Sequence, residues 1–127
     1  MLPATHPLAK ADNLPFEQLR GETFLLFPEH SFINDLCIRE CRNAGFEPHI
    51  AYTGNRGATL IDLVRNGAGI TLMMHHSARQ ENDSSLAFIP VTPGIYSYIS
   101  LNYAKEKPLS PQAESFVRYV KAHKRDF

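Results

Sequence analysis

With 127 residues, 43% of them hydrophobic and 20% charged, the chain has the composition of one globular domain large enough to bury a core. Its thirteen basic and thirteen acidic residues cancel, which excludes the one-sided charge of a surface built for nucleic acid or an anionic membrane. No apolar stretch approaches the roughly 18 residues of a membrane helix. Met1 to Pro7 lacks the charged leader and apolar core of a signal peptide, so cytoplasmic residence is the expectation.

In chain order, residues 1–23 read mostly as loop. Asn13 is placed to cap a short helix starting near Pro15, with Phe16 and Leu19 inward and Gly21 at its end. Phe24 to Phe27 is a short apolar strand stopped by Pro28. Ser31 then caps a helix whose Ile33, Leu36, Cys37, Cys41 and Ala44 recur on one side, and Gly45 supplies a left-handed exit. His49 to Tyr52 forms a second strand. A second helix begins around Asn55 or Gly57, buries Leu60, Leu63 and Val64, and closes at Gly67. Gly67 and Gly69 bracket Ala68, so backbone can pass close to backbone before the third strand, Ile70 to Met73.

Beyond that, residues 79–85 read as a solvated, mobile loop and Leu86 to Pro90 as a short edge strand. Residues 95–103 give the most regular strand pattern, Ile95, Ile99, Leu101 and Tyr103 alternating with Tyr96, Tyr98, Ser100 and Asn102. Ser110-Pro111 starts a last helix with Ala113, Phe116, Val117 and Val120 as its inward stripe. Lys121, Lys124 and Arg125 at its end complement the helix dipole.

Strand, helix, strand, helix, strand over residues 24–73 is the cadence of a parallel-rich α/β sheet with flanking helices. Such sheets bind ligands at the carboxyl ends of their strands, beside helix N-termini. The polar turns there are Glu29-His30-Ser31 and Thr53-Gly54-Asn55-Arg56. Ser31 offers a hydroxyl and free N–H groups suited to an anion, besides capping its helix. Arg56 has the fork to hold a carboxylate, unless it is simply solvated.

Catalytic and metal signatures are missing from the sequence. There is no Gly-x-Ser-x-Gly elbow, His-Glu-x-x-His, phosphate loop or Gly-x-Gly-x-x-Gly. Cys37 and Cys41 lie one turn apart on an apolar stripe, which suits buried thiols better than a disulfide or a nucleophile. His75 and His76, adjacent on an extended segment, point to opposite sides and do not converge on a metal. No cofactor is expected.

Five segments in order carry a resemblance: Leu2-Pro3-x-x-His6-Pro7-Leu8-Ala9, Phe24-Leu25-Leu26-Phe27-Pro28, Ala44-Gly45-Phe46-x-Pro48, Val64-x-x-Gly67-x-Gly69-Ile70 and Lys107-Pro108-Leu109-Ser110-Pro111. Together they resemble the effector-binding region of a LysR-type transcriptional regulator. The resemblance implies a periplasmic-binding-protein-like fold of two α/β subdomains clasping a small molecule. His6-Pro7 looks like the crossover out of the first subdomain, residues 20–90 like the second, and residues 95–123 like the segment returning to the first. The DNA-binding domain, linker helix and opening units of the first subdomain have no counterpart, which implies a partial effector-binding domain.

By the same resemblance, Glu29, His30, Ser31 and Phe32 are effector contacts; Thr53, Asn55 and Arg56, at the end of the next strand, face the same crevice if the sheet is parallel and complete the expected effector site. Where many relatives carry proline after the third strand, His75-His76 is a departure, and one of them lining the crevice mouth is a further expectation. The expected partners are a small, anionic effector and a second copy, as a homodimer or an element-exchanged dimer. The second copy would use the segment 95–103, the terminal helix or the helix over 31–44. Neither nucleic acid nor membrane is expected to contact these residues. The rival readings are a transporter's solute-binding protein, which the missing leader opposes, and a small flavodoxin-like α/β protein. The latter needs an acidic pocket or phosphate loop that Pro28-Glu29-His30-Ser31 does not supply.

Overall fold

The computed structural model describes residues 1–79, 83–98, 100–104 and 106–123. They form two compact units, Met1–Ile95 and Tyr96–Phe127. The first contains β1 (Leu2–Pro3), β2 (Leu14–Pro15), β3 (Thr23–Leu26), α1 (Phe32–Asn43), β4 (His49–Thr53), α2 (Gly57–Arg65), α3 (His75–Arg79), β5 (Leu86–Ala87) and β6 (Val91–Thr92). The second contains α4 (Pro111–Ala122).

At the centre of the first unit, β3 pairs in parallel with β4. On its other side Phe24 makes a parallel bridge to Ile70: Ile70 N–H donates to the Thr23 carbonyl and Leu25 N–H to the Ile70 carbonyl, both at 2.8 Å. Of the three expected runs, β3 and β4 lie side by side and point the same way, and the third, expected over Ile70 to Met73, is not a strand: it joins β3 in parallel only through the bridge at Ile70, giving the order β4, β3, Ile70. Alternation along β3 divides the core. Phe24 and Leu26 pack with Cys37, Cys41 and Ile70 on one face, while Leu25 packs with Leu60, Ile61 and Val64 on the other. Helices α1 and α2 thus cover opposite faces, as right-handed crossovers running in opposite directions, from β3 to β4 and from β4 back past β3 to Ile70, require. Each fully buried leucine there contributes roughly 1.5–3 kcal/mol.

Local chemistry sets the helix ends. Ser31 Oγ accepts from Asn34 N–H at 3.3 Å, and Ser110 Oγ from Ala113 N–H at 3.2 Å. Gly45 and Gly67 leave α1 and α2 at φ 79° and 77°, the left-handed exits glycine permits. Arg20 donates to the Ala44 carbonyl at 3.2 Å and lies over the Phe46 ring, closing α1 from outside.

Around this centre, β1 pairs antiparallel with β5, and β2 in parallel with β6. Met1 and Thr71 exchange two backbone hydrogen bonds of 2.8 and 2.9 Å, tying the N-terminal segment to the third run. His6 Nδ1 accepts from Leu8 N–H while Nε2 lies 3.2 Å from a Glu22 carboxylate oxygen, fixing the turn after β1. No described helix is long and apolar enough to cross a membrane.

Several expectations are corrected. Residues 95–103 are not a strand among the described positions: Tyr96 and Tyr98 are 79% and 88% exposed, and a strand exists only where a neighbour completes its ladder. Asn13 caps nothing; Pro15 is the cap of a short 3-10 helix over Phe16–Leu19, with Leu14–Pro15 drawn into pairing with β6. In α2 the buried residues are Leu60, Ile61 and Val64, Leu63 being only half-buried. His75 and His76 open the short helix α3 rather than an extended segment. The edge strand from Leu86 stops at Ala87. On α4 only Val117 is buried, with Phe116 56% exposed. The centre of the loop over 79–85, Ile99, Lys124 and Arg125 lie outside the described residues.

Candidate functional site

Because β3 and β4 run in parallel, the segments that follow them, Phe27 to Ser31 and Gly54 to Arg56, leave the sheet at the same end. Gly54 N–H donates to the Leu26 carbonyl at 3.0 Å, binding the root of the second loop to the end of the first strand. The segment after Ile70 joins them at that end. The strand order reverses between β3 and Ile70, the position where open α/β sheets form their ligand crevice.

The first loop is held from below. Asn34, 1% exposed in the first turn of α1, donates its side-chain amide to the Phe27 carbonyl at 2.8 Å. Ser31 N–H donates to the Pro28 carbonyl at 3.1 Å, and His30 between them adopts φ 65°. A left-handed non-glycine residue costs roughly 1–2 kcal/mol, and such strain concentrates at functional sites. The turn leaves Glu29, His30 and Phe32 exposed and Ser31 half-buried at the N-terminus of α1.

Across from it, Thr53, Asn55 and Arg56 are exposed, and Arg56 occupies the N-cap position of α2 with no capping hydrogen bond from its side chain. Arg56 has no ion-pair partner among the described residues, unlike Arg65, which joins Asp62 and Asp83. The Tyr52 ring folds over Gly54, where an added Cβ would lie 2.6 Å from ring atoms. Just after the Ile70 bridge, Thr71 is buried with its hydroxyl unpaired among the described residues.

An open groove of about 480 Å³ runs between α1 and β4, lined by Glu29, His30, Asn34, Asp35, Ile38 and Ile50 to Thr53. Of the expected site residues it takes in Glu29, His30 and Thr53; Ser31, Phe32, Asn55 and Arg56 do not line it. Asn34 and Thr71 were not singled out by sequence. A polar residue inside an otherwise apolar helical stripe is the signal that marks Asn34, whereas nothing in the sequence marks Thr71.

The described residues hold no group of three or more metal-ligating side chains. Cys37 and Cys41 are free and buried; hydrogen bonding to Cys41 and then burial push the Cys37 thiol up, away from the thiolate form.

Parallel pairing flanked by helices, with polar loops gathered at the strand ends, is an α/β architecture of the periplasmic-binding-protein-like class. The chain belongs to the LysR substrate binding domain family, whose profile matches residues 1–125. It is 29% identical over 121 residues to the transcriptional dual regulator GltC of Bacillus subtilis, covering 94% of this chain and 40% of that protein. The chain thus spans about two fifths of that relative's length. Among solved structures it resembles the Synechocystis CcmR regulatory domain in complex with 2-PG, with a TM-score of 0.80 and 17% identity over 99% of this chain and 62% of that one. The effector binding domain of QuiR in complex with shikimate gives a TM-score of 0.71 and 21% identity over 96% of this chain and 60% of that one.

Proposed function

We propose that these residues form part of the ligand-sensing region of a LysR-type transcription regulator, a sensor rather than a catalyst. A small anionic metabolite would sit at the carboxyl ends of β3 and β4, touching Glu29, His30, Ser31 and Phe32 from one loop and Thr53, Asn55 and Arg56 from the other. The observation that carries this reading is the parallel pairing of β3 with β4, which supplies both loops, the α1 N-terminus and, at one end of the sheet, an arginine with no ion-pair partner among the described residues. The 2-PG and shikimate complexes of two structural relatives support a small-molecule effector.

In this reading residues 20–90 are the second subdomain and 95–123 return to a first subdomain, whose sheet would cover Tyr96, Tyr98 and Phe116. DNA binding is supplied outside these residues, in the cytoplasm. The effector acts by population shift: it favours one arrangement of paired domains by no more than its differential affinity for the two. Two copies associate, as a homodimer or with exchanged elements.

One subdomain contributes half of a crevice, so affinity for this chain alone is weak. Amide chemical-shift mapping with shikimate, 2-PG and other small carboxylates at millimolar concentration is the test. Shifts confined to residues 29–32 and 53–56, reduced in Arg56→Ala, are expected. Shifts clustered at another surface, or none from any anion, would overturn the reading.

A further inference from the structure

We propose that the effector of this crevice is a zwitterion, a small molecule carrying a protonated amine besides its acidic group, with Glu29 receiving the amine and Arg56 the acid. The proposal rests on the preceding reading of where the effector sits; it adds the second charge.

The segments at the carboxyl ends of β3 and β4 differ in sign. Phe27 to Ile38 contains Glu29 and Asp35 and no lysine or arginine. Pro48 to Ile61 contains Arg56 and no aspartate or glutamate. Parallel pairing brings both segments to one end of the sheet. Opposite charges so placed could neutralise each other, yet neither Glu29 nor Arg56 has an ion-pair partner among the described residues, and both are exposed. Elsewhere in the same unit the arginines are paired: Arg39 with Glu40, Arg42 with Glu47 and Arg65 with Asp83, at 2.9, 2.7 and 2.7 Å.

Glu29 belongs to a loop that is held in place. Asn34 donates to the Phe27 carbonyl on one side of it, Ser31 N–H donates to the Pro28 carbonyl, and His30 beside it is fixed at φ 65°. An effector with negative charge alone, drawn in by Arg56, would meet a like charge at Glu29. For charges roughly 4 Å apart in water that repulsion weakens binding about fivefold. A protonated amine on the same molecule turns the repulsion into an attraction of similar size. Each protein charge then has a partner of opposite sign, and ligands bearing one charge alone are discriminated against.

Amide chemical-shift titration of this chain at pH 7 with three matched sets tests the assignment. Each set holds an amino acid, its deaminated acid and its decarboxylated amine. They are leucine, 4-methylpentanoate and 3-methylbutylamine; phenylalanine, 3-phenylpropanoate and 2-phenylethylamine; and 5-aminopentanoate, pentanoate and butylamine. At least one amino acid should shift residues 29–32 and 53–56 at about threefold lower concentration than either of its analogues. Glu29→Gln should reduce that amino acid to the level of its deaminated acid, and Arg56→Gln to the level of its amine. Acids that bind as tightly as the amino acids, with Glu29→Gln without effect on the ratio, overturn the zwitterion and leave an anion site standing. Amines that bind as tightly as the amino acids overturn it as well. Silence from every member of the three sets, where shikimate or 2-PG shifts these residues, overturns the zwitterion alone. Silence from those two acids also overturns the preceding reading.

Discussion

A Cβ built on Gly69 would lie 2.4 Å from the carbonyl oxygen of Thr23, so the third run reaches β3 only because residue 69 has no side chain. The obstacle is backbone and cannot rotate away. Gly69→Ala should therefore cost about 2–3 kcal/mol, in the upper part of the range for overpacked sites. Gly67→Ala meets nothing within 4 Å and should cost about 1 kcal/mol, the penalty of its left-handed φ. Urea unfolding compares the two. Equal losses would mean that the close approach does not control the bridge between Ile70 and β3.

The loop after β3 depends on one buried amide. Asn34→Ala removes the donor to the Phe27 carbonyl and should destabilise by about 1–3 kcal/mol, the cost of leaving a buried acceptor unpaired. Ser31→Ala, which removes the cap of α1, should cost about 1 kcal/mol. Chemical denaturation measures both. An Asn34→Ala loss smaller than that of Ser31→Ala would contradict this account of how the loop is held.

His30 holds a conformation that glycine adopts freely. His30→Gly should raise stability by up to about 1 kcal/mol, since the left-handed penalty removed exceeds the added chain entropy. It should also weaken any anion-induced shifts at residues 29–32. A destabilised His30→Gly protein would show that the imidazole contributes contacts outweighing its strain.

Asp83 ties the segment before β5 to α2. Its carboxylate accepts from the Ser85 hydroxyl and backbone and from Arg65, which together hold its pKa at about 2, below the usual 3.8. Since the folded value is depressed, the contribution is complete above about pH 4 and is lost as pH falls through about 2. Carboxyl NMR titration should find the low value, with Ser85→Ala raising it more than Arg65→Ala. An Asp83 titrating near 3.8 would rule out the network in solution.

Much of the fold is legible in the sequence because it is written in local signals: Ser31 and Ser110 as caps, Gly45 and Gly67 as exits, and the Leu36, Cys37, Cys41 stripe. What fails depends on distant partners. Residues 95–103 alternate as a strand should, yet a ladder needs a neighbour, and none is provided among the described residues. Leu14–Pro15 becomes a strand only because β6 arrives beside it from far along the chain. For the site, the two loops follow from strand polarity, which periodicity and helix placement announce. The role of Asn34 depends on packing that no spacing reveals.

The shared direction of β3 and β4 underlies every functional statement, and a paramagnetic tag reads it directly. A nitroxide on Asn55→Cys can be attached selectively because Cys37 and Cys41 are buried. It should broaden the amides of Glu29 to Phe32 most strongly, since both loops leave the same end of the sheet. Strongest broadening at Gly21 to Thr23 instead would place the two strands head to tail and leave no common crevice.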